Sequence, residues 1–275
     1  MLNKPAGITS FDAVRKCRRI FQEKKAGHTG TLDPQASGLM IILLGKYTKL
    51  LPFCVKDHKA YHATFQLGIA TDTEDIWGNV VEEKKPQMHS QSELDALTQS
   101  MLGDQMQIPP MYAAIKKDGR KLYEYARQGI TVEREPRPIH IDSLTVQNIG
   151  DNTYEMDAVV SSGTYIRTLI TDFAKGLGEI GTMTSLVRTA IENVSLDMAC
   201  NIDALEELHE FVDPLKVLSS EYHLVDITED KRIMNGMKIK QNYGYDKIIF
   251  CKEGKPLAAY ERRDDGLYHC LRGFF

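Results

Sequence analysis

The sequence predicts an α+β protein that ends in a small β-rich segment. Apolar residues recur at helical spacing in three stretches, at about 10–22, 92–102 and 166–176. Alternating apolar residues indicate strands between these stretches, most clearly over 60–67. After Val225 the predicted elements become short and alternating, so about the last 50 residues are expected to form a β-rich module.

The first predicted helix begins at Ser10, whose hydroxyl can cap the free backbone amides of a first turn. Phe11, Val14, Cys17 and Phe21 then fall on one side of the helix. This spacing predicts that all four side chains face the core.

Strand patterns fill the intervals between the helices. The apolar run 39–44 is typical of one buried strand, and the alternation over 60–67 is typical of a half-buried one. Further strands are predicted at 137–148 and 153–161. The acidic stretch 201–222 is predicted to be helical.

Composition excludes several classes of protein. The chain has 275 residues, of which 42% are hydrophobic and 26% charged, which is the mixture of a folded soluble protein. Its longest apolar run has six residues and is too short to cross a bilayer, and the first ten residues lack the apolar region of a secretory signal. The five cysteines include no CxxC pair, which indicates neither zinc nor a disulfide framework. We therefore expect a cytoplasmic protein.

Charge is unevenly distributed along the chain. The net charge is −4, but residues 1–140 carry 20 basic and 16 acidic residues, while residues 141–225 carry 4 and 14. Seven of the first 25 residues are basic, and a second basic cluster lies in 116–137. Because a polyanion binds a local positive surface, these clusters are candidates for nucleic-acid contacts. Solvated helix faces are the simpler alternative.

The most unusual segment is GHTGTLDPQASG at 27–38. Its three glycines and one proline impose a tight backbone path around one carboxylate, Asp33. Taken alone, an Asp-Pro pair is most often a turn in which the side chain binds its own backbone. A phosphate-binding loop is disfavoured, because the GxxxxGK[ST] pattern is absent.

Two further segments carry candidate chemistry. In SSGTYIR, Arg167 enters an apolar helix just after Tyr165, and in HKAY, Tyr61 opens a strand. The guanidinium of Arg167 could be a structural charge bound to backbone carbonyls, or a counter-ion that keeps a desolvated carboxylate ionised. Tyr61 could be a core aromatic at the end of its strand.

Together these segments resemble the TruB family of bacterial pseudouridine synthases. The matching pieces are NKPAGITS, GHTGTLDPQASGL, HKAY, LGIATDTEDIWG, PPMYAAIKKDGRKLYEYARQG, SSGTYIRTLITDFAKGLG and LVRT, in the family's order over about residues 1–190. The series of fixed residues is specific although each piece alone is weak.

The resemblance implies a role for each matching residue. Asp33 corresponds to the catalytic aspartate, Tyr61 to the tyrosine that stacks on the target base, and Arg167 to the arginine that pairs with the aspartate. The residues implied in substrate binding are His28, Tyr165, Leu186, Lys4, Lys116, Lys117 and Lys121. Among these, His28 is expected to take the space that the base vacates, and Lys4 mainly to support the floor of the site.

The resemblance also implies a domain plan. It predicts a catalytic domain at 1–224 with a mixed, mostly antiparallel sheet flanked by helices, an RNA-gripping thumb at about 109–138, and a PUA-like RNA-binding module at 225–275. Two positions depart from the family's usual pattern. Ala113 stands where a serine is usual, and Val187 precedes Arg188 where two arginines are common.

The reaction implied is the isomerisation of uridine 55 in the T-loop of tRNA. It involves no net redox change and no gain or loss of atoms, so we expect no cofactor and no metal. The carboxylate could attack C1′ or C6, or remove a ribose proton, and the sequence leaves these routes open. The expected partner is the tRNA T-arm, with no membrane and no required protein partner, and the enzyme is expected to be a monomer.

Two other functions fit parts of the pattern. An RNA-binding or tRNA-chaperone module without turnover would use the same basic surface. A glycoside or nucleoside hydrolase could use Asp33, but it would need a second, paired acid, and none stands out in the sequence.

Overall fold

The structure, a computed structural model, describes residues 1–207, 211–228 and 230–275 and divides them into two compact units. Unit 1 is formed by Met1–Lys56 and Ile191–Phe275, and unit 2 by Asp57–Ala190. The division into 1–224 and 225–275 that the sequence suggests stays a prediction.

Both units combine helices and strands. The helices are α1 (Ser10–Ile20), α2 (Gln91–Ser100), α3 (Leu122–Ala126), α4 (Ile166–Gly176) and α5 (Lys231–Met234). The strands are β1 (Leu2–Lys4), β2 (Ala26–His28), β3 (Ser37–Met40), β4 (Ile42–Leu44), β5 (His58–Leu67), β6 (Ile69–Thr71), β7 (Val80–Glu83), β8 (Gly103–Gln107), β9 (Lys116–Lys117), β10 (Arg120–Lys121), β11 (Arg137–Gly150), β12 (Thr153–Ser161), β13 (Gly181–Ile191), β14 (Val194–Ser195), β15 (Cys200–Asn201), β16 (His223–Asp226), β17 (Lys247–Lys252), β18 (Lys255–Arg262) and β19 (Tyr268–Gly273).

The predicted α+β class is confirmed, with mostly antiparallel pairing. In unit 1, β1 pairs antiparallel with β3 and parallel with β15, and β2 pairs antiparallel with β4. In unit 2, the strands follow the order β13-β5-β12-β11-β8, and the pairs from β5 to β8 are antiparallel.

The C-terminal β-rich module is present as a four-stranded sheet within unit 1. Its order is β16-β17-β18-β19, with a parallel first pair and antiparallel pairs after it. Ile233, Ile248, Phe250, Tyr260 and Tyr268 pack together in its core. This strand-rich arrangement is consistent with the predicted PUA-like module.

Three predicted elements differ from the structure. The apolar run 39–44 is two strands, because the chain changes strand partner at Ile41. Thr9, not Ser10, caps α1 by forming a capping box with Asp12, and Phe11 is 64% exposed rather than buried. In 201–222 the described residues form short 3₁₀ turns at Ile202–Glu207 and Pro214–Val217, while 208–210 lie outside the described residues.

Unit 2 has a core of stacked aromatic rings between its sheet and α4. The rings of Phe65 and Tyr154 are stacked at a centroid distance of 5.3 Å, and Phe173 of α4 meets Phe65 edge-on at 6.0 Å. This packing fixes α4 on β5 and β12 and therefore fixes the first residues of α4, among them Arg167.

Candidate active site

In unit 1, the residue before Asp33 is held by the hydroxyl of Ser10. The Oγ of Ser10 donates to the carbonyl of Leu32 at 3.0 Å and accepts from the amide of Leu32 at 2.9 Å. Both residues are 4% exposed, so water does not compete for these hydrogen bonds. The side chain that the sequence suggested as a helix cap therefore anchors the aspartate loop instead.

The residue after Asp33 is held by Lys4 and Gly7. The carbonyl of Pro34 accepts from the Nζ of Lys4 at 3.1 Å and from the amide of Gly7 at 2.9 Å. Gly7 has a φ of +88°, a conformation that a residue with a side chain adopts only with strain. The NKPAGITS segment thus fixes the loop on both sides of the aspartate.

Lys4 is fully buried and its ammonium is engaged by the backbone. Its Nζ donates to the carbonyls of Pro5 and Ile8, both at 2.8 Å, in addition to Pro34. The expected part of Lys4 in the floor of the site stays a prediction, and so does a direct contact between Lys4 and RNA.

Asp33 itself lies in the tight turn that its sequence suggested. The amide of Ala36 donates to the carbonyl of Asp33 at 3.1 Å, and Asp33 is half-buried. Because Leu32 and Pro34 are both held by hydrogen bonds, the carboxyl group of Asp33 is attached to a backbone segment that is fixed on either side. Such fixed placement is what a reacting group requires.

His28 and Thr29 lie on the opposite arm of this loop in unit 1. His28 ends β2, is half-buried and pairs with Ile42 of β4. The amide of Thr29 donates to the carbonyl of Ile41 at 3.2 Å. The two arms of the 27–38 segment are therefore each tied to a strand or a loop of the same unit.

In unit 2, Tyr61 is buried on β5 opposite Ala158 and hydrogen-bonds to Arg188. Arg188 is 1% exposed, and burial lowers the pKa of its guanidinium while the Tyr61 contact opposes that shift. Leu186 is also buried and lies two residues before Arg188, on the same face of β13. A predicted stacking tyrosine and a predicted base-packing leucine therefore share one buried surface.

Sequence reasoning noted Arg188 only as a departure from a family pattern. The sequence offered one partial signal, because Arg188 lies two residues after Leu186 and therefore shares its face if this stretch is a strand. A buried guanidinium is expected to have hydrogen-bond partners, and Tyr61 is one of them.

Arg167 is 4% exposed and sits in the first turn of α4. Its Nη1 donates to the carbonyl of Thr73 at 2.8 Å and its Nη2 to the carbonyl of Tyr112 at 3.0 Å. The interpretation of Arg167 as a structural charge is therefore confirmed, since its guanidinium binds backbone carbonyls. Its partnership with Asp33 stays a prediction.

Glu74 is a site neighbour that the sequence analysis did not identify. Its carboxylate accepts from the hydroxyl of Thr168 at 2.6 Å, next to Arg167. Burial raises the pKa of the Glu74 carboxyl, while the Thr168 hydrogen bond and the charge of Arg167 oppose that rise. When it is ionised, this carboxylate places negative charge beside the predicted counter-ion.

Tyr165 is held through its backbone rather than its side chain. The side-chain amide of Gln107 accepts from the Tyr165 amide at 2.8 Å and donates to the Tyr165 carbonyl at 3.1 Å. Gln107 is 3% exposed, so the clamp is shielded from water. The half-buried Tyr165 helps to line a shallow pocket of about 380 Å³, together with Ile115, Arg137, Pro138, Ser162 and Gly163.

The predicted thumb segment forms a hairpin, β9 and β10, followed by α3. Its cations lie over its own aromatic rings: Arg120 is 4.5 Å from the Tyr125 ring centroid, and Lys121 and Arg127 are 5.4 and 5.3 Å from that of Tyr123. Lys116 is exposed, whereas Lys117 donates to the carbonyl of Glu133. The segment therefore presents positive charge on aromatic supports.

No group of three or more His, Cys, Asp or Glu side chains among the described residues is arranged to hold a metal ion. None of the helices described is long and apolar enough to span a membrane.

Comparison with solved structures supports the fold. The crystal structure of a Cbf5-Nop10-Gar1 complex contains a chain that matches with a TM-score of 0.69 at 18% identity, covering 100% of this chain and 84% of that one. An H/ACA RNP bound to a substrate RNA containing 2′-deoxyuridine matches with a TM-score of 0.66 at 18% identity, over 100% and 84%. At these identities the likeness concerns the fold.

Comparison with known sequences identifies the family. The tRNA pseudouridine synthase B of Oceanobacillus iheyensis is 40% identical, over 94% of this chain and 90% of its own length, and that of Clostridium tetani is 41% identical, again over 94% and 90%. Residues 18–166 match the model of the TruB family pseudouridylate synthase N-terminal domain. With the anchored GTLDP loop and relatives that span nearly the whole chain, this protein belongs to the TruB family of pseudouridylate synthases.

Proposed function

We propose that this chain isomerises uridine 55 in the T-loop of tRNA to pseudouridine. In this reaction the N1–C1′ bond of the nucleotide breaks, the base turns, and C5 bonds to C1′ while its proton moves to solvent and N1 gains one. Atoms and electrons balance without an oxidant or reductant. The relatives named tRNA pseudouridine synthase B support tRNA as the substrate.

The observation that carries this proposal is the anchoring of Asp33. Ser10 fixes Leu32 through buried hydrogen bonds, and Lys4 with Gly7 fixes Pro34, so the backbone is held on each side of the carboxylate. A nucleophile or base held in this way loses little freedom when the substrate binds. A turn with no chemical role would not need its two flanking residues to be secured by a separate segment.

Arg167 would keep the carboxylate ionised when the substrate excludes water. Desolvation alone raises the pKa of a carboxyl group, and a nearby guanidinium opposes that rise. A close pair gains roughly 4 kcal/mol at an effective dielectric constant of about 20. The two carbonyls that hold the Arg167 guanidinium support this role, because they fix the position of the positive charge.

Base eversion would use the buried surface of Tyr61 and Leu186. Moving a base out of its stack costs a few kcal/mol, which stacking against an aromatic ring offsets. Tyr61 is 9% exposed and Leu186 7%, and we propose that the everted base packs against the part of each residue that stays accessible. His28 would fill the gap that the base leaves, and Tyr165 would lie beside the everted nucleotide.

The remaining contacts would be made to the RNA backbone. We propose that the thumb lysines Lys116, Lys117 and Lys121 and the basic residues of α1 bind phosphates of the T-arm. The C-terminal module would add contacts as a PUA-like domain, since residues 226–275 carry ten basic and eight acidic residues. We propose that the enzyme acts as a monomer in the cytoplasm, without a protein partner. Sedimentation of the pure protein with and without tRNA tests its oligomeric state.

The direct test is to incubate the pure protein with an unmodified tRNA transcript and map pseudouridine at each position. Pseudouridine at nucleotide 55, and not in a transcript that carries cytidine there, is the expected result. Tight binding without any pseudouridine would favour a binding or chaperone module. Release of free uracil would favour a hydrolase.

A further inference from the structure

The loop 71–79 in unit 2 is folded on itself by its own acidic side chains. The Oδ1 of Asp75 accepts from the hydroxyl of Thr73 at 2.7 Å and from the amide of Trp77 at 3.2 Å. Asp72 accepts from the amide and the side chain of Asn79 at 2.8 and 3.0 Å. The backbone path is therefore specified by two carboxylates.

Gly78 is required for this path. A Cβ at this position would lie 2.2 Å from the Oγ1 of Thr73 and 2.5 Å from the Oδ1 of Asp72, both of which take part in the hydrogen bonds that close the loop. A larger residue would displace these side-chain atoms and disturb the hydrogen bonds. The loop is therefore tightly packed around Gly78.

At the tip of this ordered loop, two large apolar side chains are open to solvent. Trp77 is 49% exposed and Ile76 38% exposed. Trp77 is the single tryptophan of the chain. Half of an indole surface held in water by a fixed backbone is a preformed site for a flat apolar ligand.

The loop is tied to predicted site residues of the same unit. The carbonyl of Thr73 is one of the two that the Arg167 guanidinium binds, and the carbonyl of Tyr112, at the start of the thumb segment, is the other. On its other side the loop forms backbone hydrogen bonds with β13. The amide of Ile76 donates to the carbonyl of Met183 at 2.8 Å, and the amide of Met183 donates to the carbonyl of Glu74 at 3.2 Å.

We propose that Trp77 stacks on an unpaired base of the RNA substrate that neighbours the reacting nucleotide. This inference rests on the proposed function. The bases of an RNA loop are unpaired and open to stacking, and an indole tolerates any base because every base has a π face. The loop is already ordered, so stacking costs little conformational entropy.

Intrinsic fluorescence gives a direct readout, since all tryptophan emission comes from residue 77. Titration of the wild-type protein with an unmodified T-arm stem-loop is expected to quench this emission in step with binding measured by filter retention. Unchanged emission at saturating RNA would overturn the proposal.

Steady-state kinetics separate stacking from a general loss of structure. Trp77→Ala is expected to raise KM for the stem-loop about 10- to 100-fold, the range for loss of one base–aromatic stack, with a much smaller change in kcat. Trp77→Phe should recover most of the loss. The matched control is Val81→Ala, since Val81 is 65% exposed on the adjacent β7 and is assigned no contact. An equal effect of Val81→Ala, or no effect of Trp77→Ala, would contradict the proposal.

Abasic substitutions identify the stacked base. Stem-loops that lack one base at a single loop position are assayed with wild-type protein and with the Trp77→Ala variant. At the stacked position the loss of the base should raise KM for wild type and have little further effect on the variant. If wild type forms no pseudouridine in any tRNA, the proposed function fails. If it does and no position shows this coupling, the stacking inference alone fails.

Discussion

The ammonium of Lys4 lies 3.1 Å from the carbonyl of Pro34, the residue that follows Asp33, and both ends of this contact are in unit 1. Two more carbonyls, those of Pro5 and Ile8, accept hydrogen bonds from the same Nζ. A charge that is fully buried and bound to three backbone oxygens acts as a brace for the loop that presents the aspartate.

Lys4→Met is expected to lower both stability and turnover. It removes the side-chain donor from the carbonyls of Pro5 and Ile8 and one of two donors from that of Pro34, which costs about 1–3 kcal/mol in the free energy of unfolding. kcat should fall while the salt dependence of tRNA binding stays that of wild type. Urea unfolding, single-turnover kinetics and binding at several salt concentrations measure the three quantities.

Lys46→Met is the matched control for this variant, because Lys46 is an exposed lysine of the same unit. Its effect on stability should stay within about 0.5 kcal/mol. If Lys4→Met instead reduced the salt slope by about one, Lys4 would be a phosphate contact and the brace would be wrong.

Arg188 and Tyr61 are expected to act as one unit. Arg188→Gln removes a buried partner of the Tyr61 hydroxyl, so the ring loses its fixed position, and kcat should fall about tenfold or more while the Kd for tRNA changes little. With Tyr61→Phe in the same chain, the effects should be non-additive by about 1 kcal/mol or more. Val187→Ala, on the other face of β13, is the control. Additive losses would show that the two residues do not act together.

Charge reversal of Lys116, Lys117 and Lys121 to Glu should weaken tRNA binding and reduce the slope of log K against log salt by about two. The hairpin and the two aromatic supports should remain, so the unfolding free energy should change little. Lys175→Glu, an exposed lysine of α4 with no assigned RNA contact, is the comparison. An unchanged salt slope in the triple variant would mean that the thumb does not hold RNA.

Glu74 should make the protein less stable as the pH rises above the ordinary glutamate pKa of 4.5. Burial raises the pKa of this carboxyl in the folded state, so the folded protein binds the proton more tightly than the unfolded chain does. This loss in the free energy of unfolding is absent below pH 4.5, and it is complete once the pH exceeds the raised pKa of Glu74 in the folded state. Glu74→Gln should remove this part of the slope when urea unfolding is measured from about pH 4 upwards. The exposed Glu82→Gln should leave the slope intact, and a wild-type slope in Glu74→Gln would refute the assignment.

Periodicity predicted the long elements well. The 166–176 helix and the 153–161 strand match α4 and β12, because each has one face against the core of unit 2 and the apolar pattern records that face. It failed at Ile41, where an uninterrupted apolar run hides a change of strand partner. It also failed in 201–222, where acidic composition suggested a helix but the described residues form short turns.

The candidate site was predicted from sequence motifs and not from hydrophobic periodicity. The sequence indicated Asp33, Tyr61 and Arg167, but it placed Ser10 on a helix cap and gave no role to Gln107 or Glu74. These three act through backbone groups or through neighbours distant in sequence, such as Leu32, Tyr165 and Thr168, and a single sequence does not encode such long-range pairs in its periodicity.

The most direct measurement is turnover by Asp33→Asn, which keeps the shape of the side chain and removes its charge. Asp264→Asn, an exposed aspartate of the same unit, is the control and should behave as wild type. We expect pseudouridine formation in tRNA to fall to background in Asp33→Asn, while tRNA affinity falls less than about tenfold, or 1.4 kcal/mol. Turnover at the wild-type rate in Asp33→Asn would contradict the central claim that this carboxylate reacts with the nucleotide.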